Sequence, residues 1–368
     1  MCIERSIVSL GDERYPGRLF EYIKSHGELT AVCLGGSITQ GCHASAEDRR
    51  YVNLFAACLE KKFPGVKINM INAGIGATTS QFGCARVRSQ VLSHKPQLVV
   101  VDFSVNDSSE EVFKSTYESL IRVLLSDSDV MWVITLNNTF FDRRVGAAAE
   151  HQKIAAHYSL SIVDCAKVFL PLIEQGRYQP LELSTDYLHP TDIGHSMIAQ
   201  MLEELLDQAL QRFKNSAGAS FEKPTVPMPL TECGYENCEM LDNKRLAPEL
   251  SGFAADLSSD HPFHDPFKNG WTGFKTGDSI AFEACFRKLL VQWRRTPRRP
   301  APCARVIIDG KYDEPAVLDA AFEEDWGDLS CVSLVAEYDK CETHSVSLDI
   351  TKEAGNEPFM VMSFIICK

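Results

Sequence analysis

The sequence predicts an α/β fold, a doubly wound parallel sheet, followed by a second domain built as an antiparallel β-sandwich. Three observations carry that expectation. Runs such as Leu98-Val99-Val100-Val101-Asp102-Phe103 are apolar without alternation, as parallel strands covered on both faces must be. Between them lie segments with helical periodicity, and repeated strand-helix-strand units imply a doubly wound sheet. Beyond a cluster of prolines, Pro224, Pro227 and Pro229, that periodicity gives way to short apolar or alternating runs separated by turn residues. A chain of 368 residues suits two domains of this size, each with its own core.

Taken in order, an amphipathic stretch near 19–24 precedes the strand Ala31-Val32-Cys33-Leu34. Tyr51, Leu54, Phe55, Cys58 and Leu59 recur at helical spacing, which predicts a helix over 51–63, stopped by Pro64-Gly65. A strand over 66–71, a helix over 82–92, the strand at 98–103, a helix over 110–125, a strand over 130–136, a helix over 147–158 and a strand over 161–164 continue the alternation. Ile193, Met197, Ile198, Met201, Leu202, Leu205 and Ala209 form the apolar stripe of a long last helix. The expected division is a first domain over 1–213, a linker over 214–230 and a β-domain over 231–368, with strands over 279–286, 288–293, 304–308, 332–338, 344–350 and 359–367.

Bulk properties narrow the function. The net charge is −13, with −4 in residues 1–220 and −9 in the rest, which argues against nucleic acid or an anionic membrane as partner. The basic run Trp293-Arg294-Arg295-Thr296-Pro297-Arg298-Arg299-Pro300 reads as a solvated, proline-broken loop. No apolar run reaches the roughly 18 residues of a membrane span, and Met1-Cys2-Ile3-Glu4-Arg5 opens no signal peptide. A cytoplasmic setting is the expectation. Thirteen scattered cysteines, several inside apolar runs, read as reduced, buried thiols, and none has zinc-site spacing.

The chemistry centres on Leu34-Gly35-Gly36-Ser37-Ile38-Thr39, where a buried strand runs into small residues and can leave a serine hydroxyl at the sheet's carboxyl edge. Two further strands end at the same edge in the 74–79 glycine loop and in Asn106, and Asp186 and His189 stand three apart before the last helix. Acyl-ester cleavage needs this set: Ser37 as nucleophile, His189 as general base, Asp186 to orient the imidazole. The Ser37 N–H, an N–H of the glycine loop and the Asn106 amide supply candidate oxyanion donors. No metal or organic cofactor is required. Asp102, Asp164 and His195 read as structural, and Asp107 as an anchor of its loop. His43, close after Ser37, and Trp271 and Trp326, set among Gly, Asp and Asn, are candidate substrate contacts, since a flat apolar ring suits a sugar face.

Gly35-Gly36-Ser37-Ile38-Thr39, Asn72-Ala73-Gly74-Ile75-Gly76, Val105-Asn106-Asp107 and Asp186-Tyr187-Leu188-His189-Pro190 together resemble the four blocks of the SGNH hydrolases, the GDSL-like esterases and lipases, in order. The resemblance implies a flavodoxin-like sheet, a Ser37–His189–Asp186 triad, and an oxyanion hole from Ser37, Asn106 and the glycine block, where either Gly76 or Ala77 donates. Gly36 replaces the aspartate of the name-giving pattern, as in carbohydrate-active members. Asn269-Gly270-Trp271, Ile307-Ile308-Asp309-Gly310 and His344-Ser345-Val346 are similar to the jelly-roll-like, carbohydrate-binding-like domain of some bacterial acetylesterases. That points to removal of acetyl groups from oligosaccharides. An esterase or acyltransferase acting on a lipid, thioester or cell-wall precursor is the first alternative, and a glycan-binding protein with a degenerate hydrolase domain the second. A homo-oligomer is possible on either reading.

Overall fold

The structure, a computed structural model, describes residues 3–142, 144–216, 221–258, 265–313 and 315–368. It separates into two compact units, residues 1–233 and 234–368.

In the first unit, strands β1 (Ile7–Ser9), β2 (Glu28–Gly35), β3 (Lys67–Gly74), β4 (Leu98–Asp102), β5 (Trp132–Asn137) and β6 (Ser161–Asp164) form one sheet in the order β1-β6-β5-β4-β2-β3. Every neighbouring pair is parallel except β1 on β6, an antiparallel edge strand that the sequence pattern does not reveal. β4 and β5 are buried throughout, which is why they carry no polar alternation. Chain order reverses between β2 and β4, and ligands of doubly wound sheets bind beyond the carboxyl ends at such a switch point. Ser37 follows β2 there, and Asn106 follows β4.

Helices α1 (Arg14–His26), α2 (Ser37–Gln40), α3 (Tyr51–Lys62), α4 (Ser80–Gln90), α5 (Glu111–Ser126), α6 (Ala148–His157), α7 (Ala166–Glu174), α8 (Pro180–Leu183) and α9 (Asp192–Asn215) connect and cover the strands. The stripe on α9 is buried from Met197 to Ala209, whereas Ile193 is exposed.

The expected linker departs from expectation. Part of it, 217–220, lies outside the described residues, but from Phe221 onward the chain is a strap on the first unit. Phe221 is buried against Phe213, Arg122 donates to the Pro227 carbonyl at 2.6 Å, and Lys223 to that of Asp127. The buried Glu118 carboxylate accepts the N–H groups of Leu230 and Thr231 and the Tyr158 hydroxyl. Burial alone raises a carboxyl pKa, but these donors outweigh it and the Glu118 carboxyl is lowered. Prolines that break helix here still leave backbone groups to be satisfied, and this surface satisfies them.

In the second unit every pair of strands among the described residues is antiparallel, nine strands in the order β13-β12-β14-β11-β15-β10-β9, with β7 on β15 and β8 on β11. These are β7 (Cys238–Leu241), β8 (Glu249–Ser251), β9 (Ala254–Ala255), β10 (Trp271–Gly273), β11 (Ser279–Arg295), β12 (Cys303–Ile308), β13 (Ala316–Asp319), β14 (Leu329–Lys352) and β15 (Phe359–Cys367). Strands predicted as pairs, 279–286 with 288–293 and 332–338 with 344–350, are each one long strand, because register shifts at Phe286/Lys288 and Leu289/Leu290 bend the pairing without ending it. Phe286, Trp293, Ile280, Leu348 and Phe364 lie in its core.

Two further expectations are corrected. The basic run is not a solvated loop: Arg294 is buried against Asp328 and Glu357, Arg298 pairs with the same two carboxylates, and Arg299 reaches Glu323. And one pair of cysteines, Cys238 and Cys367 on β7 and β15, forms a disulfide rather than two reduced thiols.

Candidate active site

The site begins where β2 ends. A β-carbon at Gly35 would lie 2.2 Å from Thr39 Oγ1, so only glycine lets the chain fold back from the strand into the short helix α2, whose first residue is Ser37. At Gly36 a β-carbon would lie 2.4 Å from Asn106 Oδ1. The aspartate of the name-giving pattern has no room on this backbone, since Asn106 occupies it. Gly-Gly-Ser is therefore a packing requirement of this site.

Ser37 Oγ stands 2.7 Å from His189 Nε2, and His189 Nδ1 stands 2.6 Å from Asp186 Oδ2. With Nδ1–H directed at the carboxylate, Nε2 is left as acceptor for the serine hydroxyl. Asp186 Oδ1 also accepts the N–H groups of His189 and Leu188 and the Ser184 hydroxyl. Tyr187, at φ 63°, supplies the left-handed turn that folds the segment around the carboxylate. Partial burial works against its charge, but these donors prevail and hold the Asp186 carboxyl well below the usual carboxylate range. The pair is thus ready to accept a proton at Nε2 and to stabilise the imidazolium that results.

In the loop after β3 the two candidate donors, Gly76 and Ala77, differ in their hydrogen bonding. Gly76 N–H donates to Gln40 Oε1 at 2.8 Å, while no hydrogen bond from Ala77 N–H is found among the described residues. Ala77 sits at φ 54°, a conformation that costs a non-glycine residue energy and is retained where the surroundings impose it. Gln40 is a residue the sequence reading missed. Nothing in its local pattern marks it, because its partner is 36 positions away.

Beneath this rim lies a polar layer. Arg86, fully buried on α4, donates to the carbonyls of Gly35 at 3.0 Å and Ala73 at 2.6 Å, the strand ends that lead into Ser37 and the 76–77 loop. It forms no ion pair among the described residues, and burial pulls its pKa down to about 9. Thr39 donates to Asp102 Oδ2, which also accepts the Asn138 amide, while Oδ1 has no hydrogen-bond partner among the described residues. Burial pushes Asp102 up to about 7. Asp107 accepts the Ser80 N–H and meets the buried His151, so it does anchor the Asn106 loop. His195 bridges the Tyr51 N–H and the Cys42 carbonyl, and Asp164 caps Ala166, both structural.

The candidate substrate contacts fare differently. His43, exposed and at φ 66°, bonds Thr185 at 2.7 Å and lies 4.9 Å from the His189 ring. His43, Asp186 and His189 are the one group of metal-capable side chains found among the described residues, yet contacts to Thr185, to each other and to Ser37 already engage them. Trp326 is 54% exposed, edge-on to Phe322, with its N–H on Glu324. Trp271 is a correction: on β10 it pairs with Val361 of β15 and Ala255 of β9 and packs on Phe364 in the core, 2% exposed, so its face is closed to a sugar.

This is the geometry of an ester-cleaving enzyme, and comparisons with known proteins agree. Residues 33–197 match the model of the GDSL-like lipase/acylhydrolase family. A solved two-domain esterase active on acetylated mannans, co-crystallised with mannopentaose, is 34% identical and covers 100% of this chain and 98% of its own, with a TM-score of 0.93. A second structure of such an esterase gives 0.94 at the same identity. Thioesterase 1/protease 1/lysophospholipase L1 of Escherichia coli K12 is 26% identical over 186 residues, 48% of this chain and 83% of its own. The chain belongs to the GDSL-like lipase/acylhydrolase family and is a carboxylic ester hydrolase.

Proposed function

We propose that this protein removes O-acetyl groups from oligosaccharides, those of the mannan class first, with Ser37 as its nucleophile. One observation carries the substrate class: the likeness to an esterase active on acetylated mannans extends through both units, whereas the likeness to the E. coli thioesterase spans about half of the chain.

On this reading, His189 Nε2 takes the Ser37 proton as Oγ attacks the acetyl carbonyl, and the carbonyl oxygen becomes an oxyanion held by the N–H groups of Ser37 and Ala77 and by the Asn106 amide. The imidazolium, steadied by Asp186, returns the proton to the departing sugar hydroxyl. Water, deprotonated by the same histidine, then attacks the acetyl-serine and releases acetate. We assign His43, whose ring lies 4.9 Å from that of His189, to contact with the sugar. Trp326 offers an exposed aromatic face in the second unit, which we assign to carbohydrate binding. We place the enzyme in a reducing, cytoplasmic setting. Ten cysteines among the described residues are outside any disulfide, five of them buried.

Acetate release from acetylated manno-, xylo- and pectic oligosaccharides, alongside hydrolysis of a long-chain acyl thioester and a lysophospholipid, tests the proposal. The expected result is fastest turnover on manno-oligosaccharides. Faster turnover of the thioester or lysophospholipid, or no acetate from any glycan, contradicts it.

A further inference from the structure

Cys285 and Cys341 lie on the two longest strands of the second unit, β11 and β14. Their sulfurs are 3.2 Å apart, and both residues are exposed. The register explains the approach. Cys285 is opposite Thr343 and Phe286 is opposite Glu342, so Cys341 stands at the position diagonal to Cys285, two residues along the same face of the pair. Immediately beyond, the register shifts: Lys288 pairs with Glu337, so β14 spends residues 338–341 on an excursion that β11 spans with Arg287 alone. This excursion brings a diagonal pair, ordinarily too far apart to bond, into sulfur contact. The pair sits among ordered neighbours: Tyr338 stacks on His344 at 4.1 Å, and His344 bonds Asp309.

We propose that Cys285 and Cys341 form a dithiol site that closes to a disulfide when it meets a small-molecule disulfide of the glutathione type. One thiolate attacks a sulfur of the reagent, the reagent's S–S bond breaks, and one reduced thiol leaves. The neighbouring protein thiolate then attacks the mixed disulfide and expels the second. The protein loses two protons and two electrons, and the reagent is reduced to two thiols. The sulfurs have about 1.2 Å to travel to the ~2.05 Å of a disulfide, a distance that side-chain rotation on a bulged, exposed strand covers. The thiols that stay buried, such as Cys33, Cys84 and Cys165, have no comparable access. Closure ties the excursion of β14 to β11 and crosslinks residues 56 apart in sequence. The second unit then gains resistance to unfolding through a restricted unfolded chain. Cys238–Cys367 is a bond already made, while Cys285–Cys341 is the site that responds to its surroundings.

The test uses full-length protein, briefly reduced, desalted and incubated with oxidised glutathione, then alkylated and mapped without reductant. The expected product is a crosslinked peptide pair containing Cys285 and Cys341, with two fewer titratable thiols and a melting temperature several degrees higher for the second transition. Cys285→Ser and Cys341→Ser each are expected to retain one glutathionyl group on the remaining cysteine and to show no shift in melting. The peptide carrying Cys238 and Cys367 serves as an internal standard of recovery. Independent alkylation of Cys285 and Cys341 after oxidation, or stable glutathionylation of the wild type at either residue, overturns the proposal, as does an equal thiol loss in Cys285→Ser.

Discussion

Asp186 and Asp102 both serve the same sheet edge, yet their carboxyls move in opposite directions. Asp186, on the solvent side, is surrounded by N–H and O–H donors and stays ionised well below the usual range. Asp102, fully buried beneath α2, has two donors on one oxygen and, among the described residues, none on the other, and burial lifts it to about 7. The rim holds charge that the proposed reaction uses, whereas the layer beneath tolerates poorly solvated charge in order to fix the backbone that presents the rim. Arg86 belongs to that layer: a cation spent on main-chain carbonyls.

The largest expected effect is on the rim. Asp186→Asn places an amide where the carboxylate receives the His189 Nδ1–H and favours the wrong tautomer, with a loss in kcat of about 10⁴-fold in steady-state assays on acetyl esters. Next is the contact between rim and loop. Gly36→Asp restores the commoner pattern but collides with Asn106, so kcat falls by ~10²–10³, as in Asn106→Ala, where one oxyanion donor is lost. If Gly36→Asp keeps wild-type activity, Asn106 is not held by that contact.

The buried layer is expected to give smaller effects of a different kind. Arg86→Met loosens Gly35 and Ala73 together, shifting Ser37 relative to Ala77, and lowers kcat by ~10–10²-fold with KM little changed. Arg86→Lys recovers part of it. A fall in melting temperature at unchanged kcat marks Arg86 as structural only. The smallest change in activity is at Asp102, and there the signature is pH-dependent stability. Its pKa is higher folded than unfolded, so the native state binds the extra proton, and stability drops as pH rises from about 4 to about 7. Asp102→Asn abolishes that drop. In denaturant melts the variant gains on the wild type across this window by up to about 4 kcal/mol, at ~1.4 kcal/mol for each pH unit. Asp186 contributes with the opposite sign: its stabilisation is present above the ordinary carboxylate range and disappears only as pH falls through its lowered pKa.

The same comparison explains how much could be read in advance. The rim was legible because its parts are local words: strand then Gly-Gly-Ser, a glycine loop, Asn106, and Asp186 three before His189. The parallel strands were legible because burial on both faces leaves continuous apolar runs. The contacts of the layer beneath were not, since Arg86, Gln40 and Asp102 meet Gly35, Gly76 and Thr39 dozens of residues away and carry no periodic mark. Trp271 was misread for a related reason, because neighbours in sequence say little about which face of a strand packs inward. In the second unit, a bulge reads like a turn in sequence, which split β11 and β14 in two. The strap over 221–233 has the composition of a tether, and partners distant in sequence, Arg122, Asp127 and Glu118 among them, turn it into a bound segment.

The most direct test of the central claim is labelling with a fluorophosphonate followed by peptide mapping, combined with p-nitrophenyl acetate turnover. The account predicts one label per chain, on Ser37, and loss of both labelling and turnover in Ser37→Ala and His189→Ala at unchanged melting temperature. A label on another serine, or Ser37→Ala that hydrolyses the ester at the wild-type rate, contradicts it.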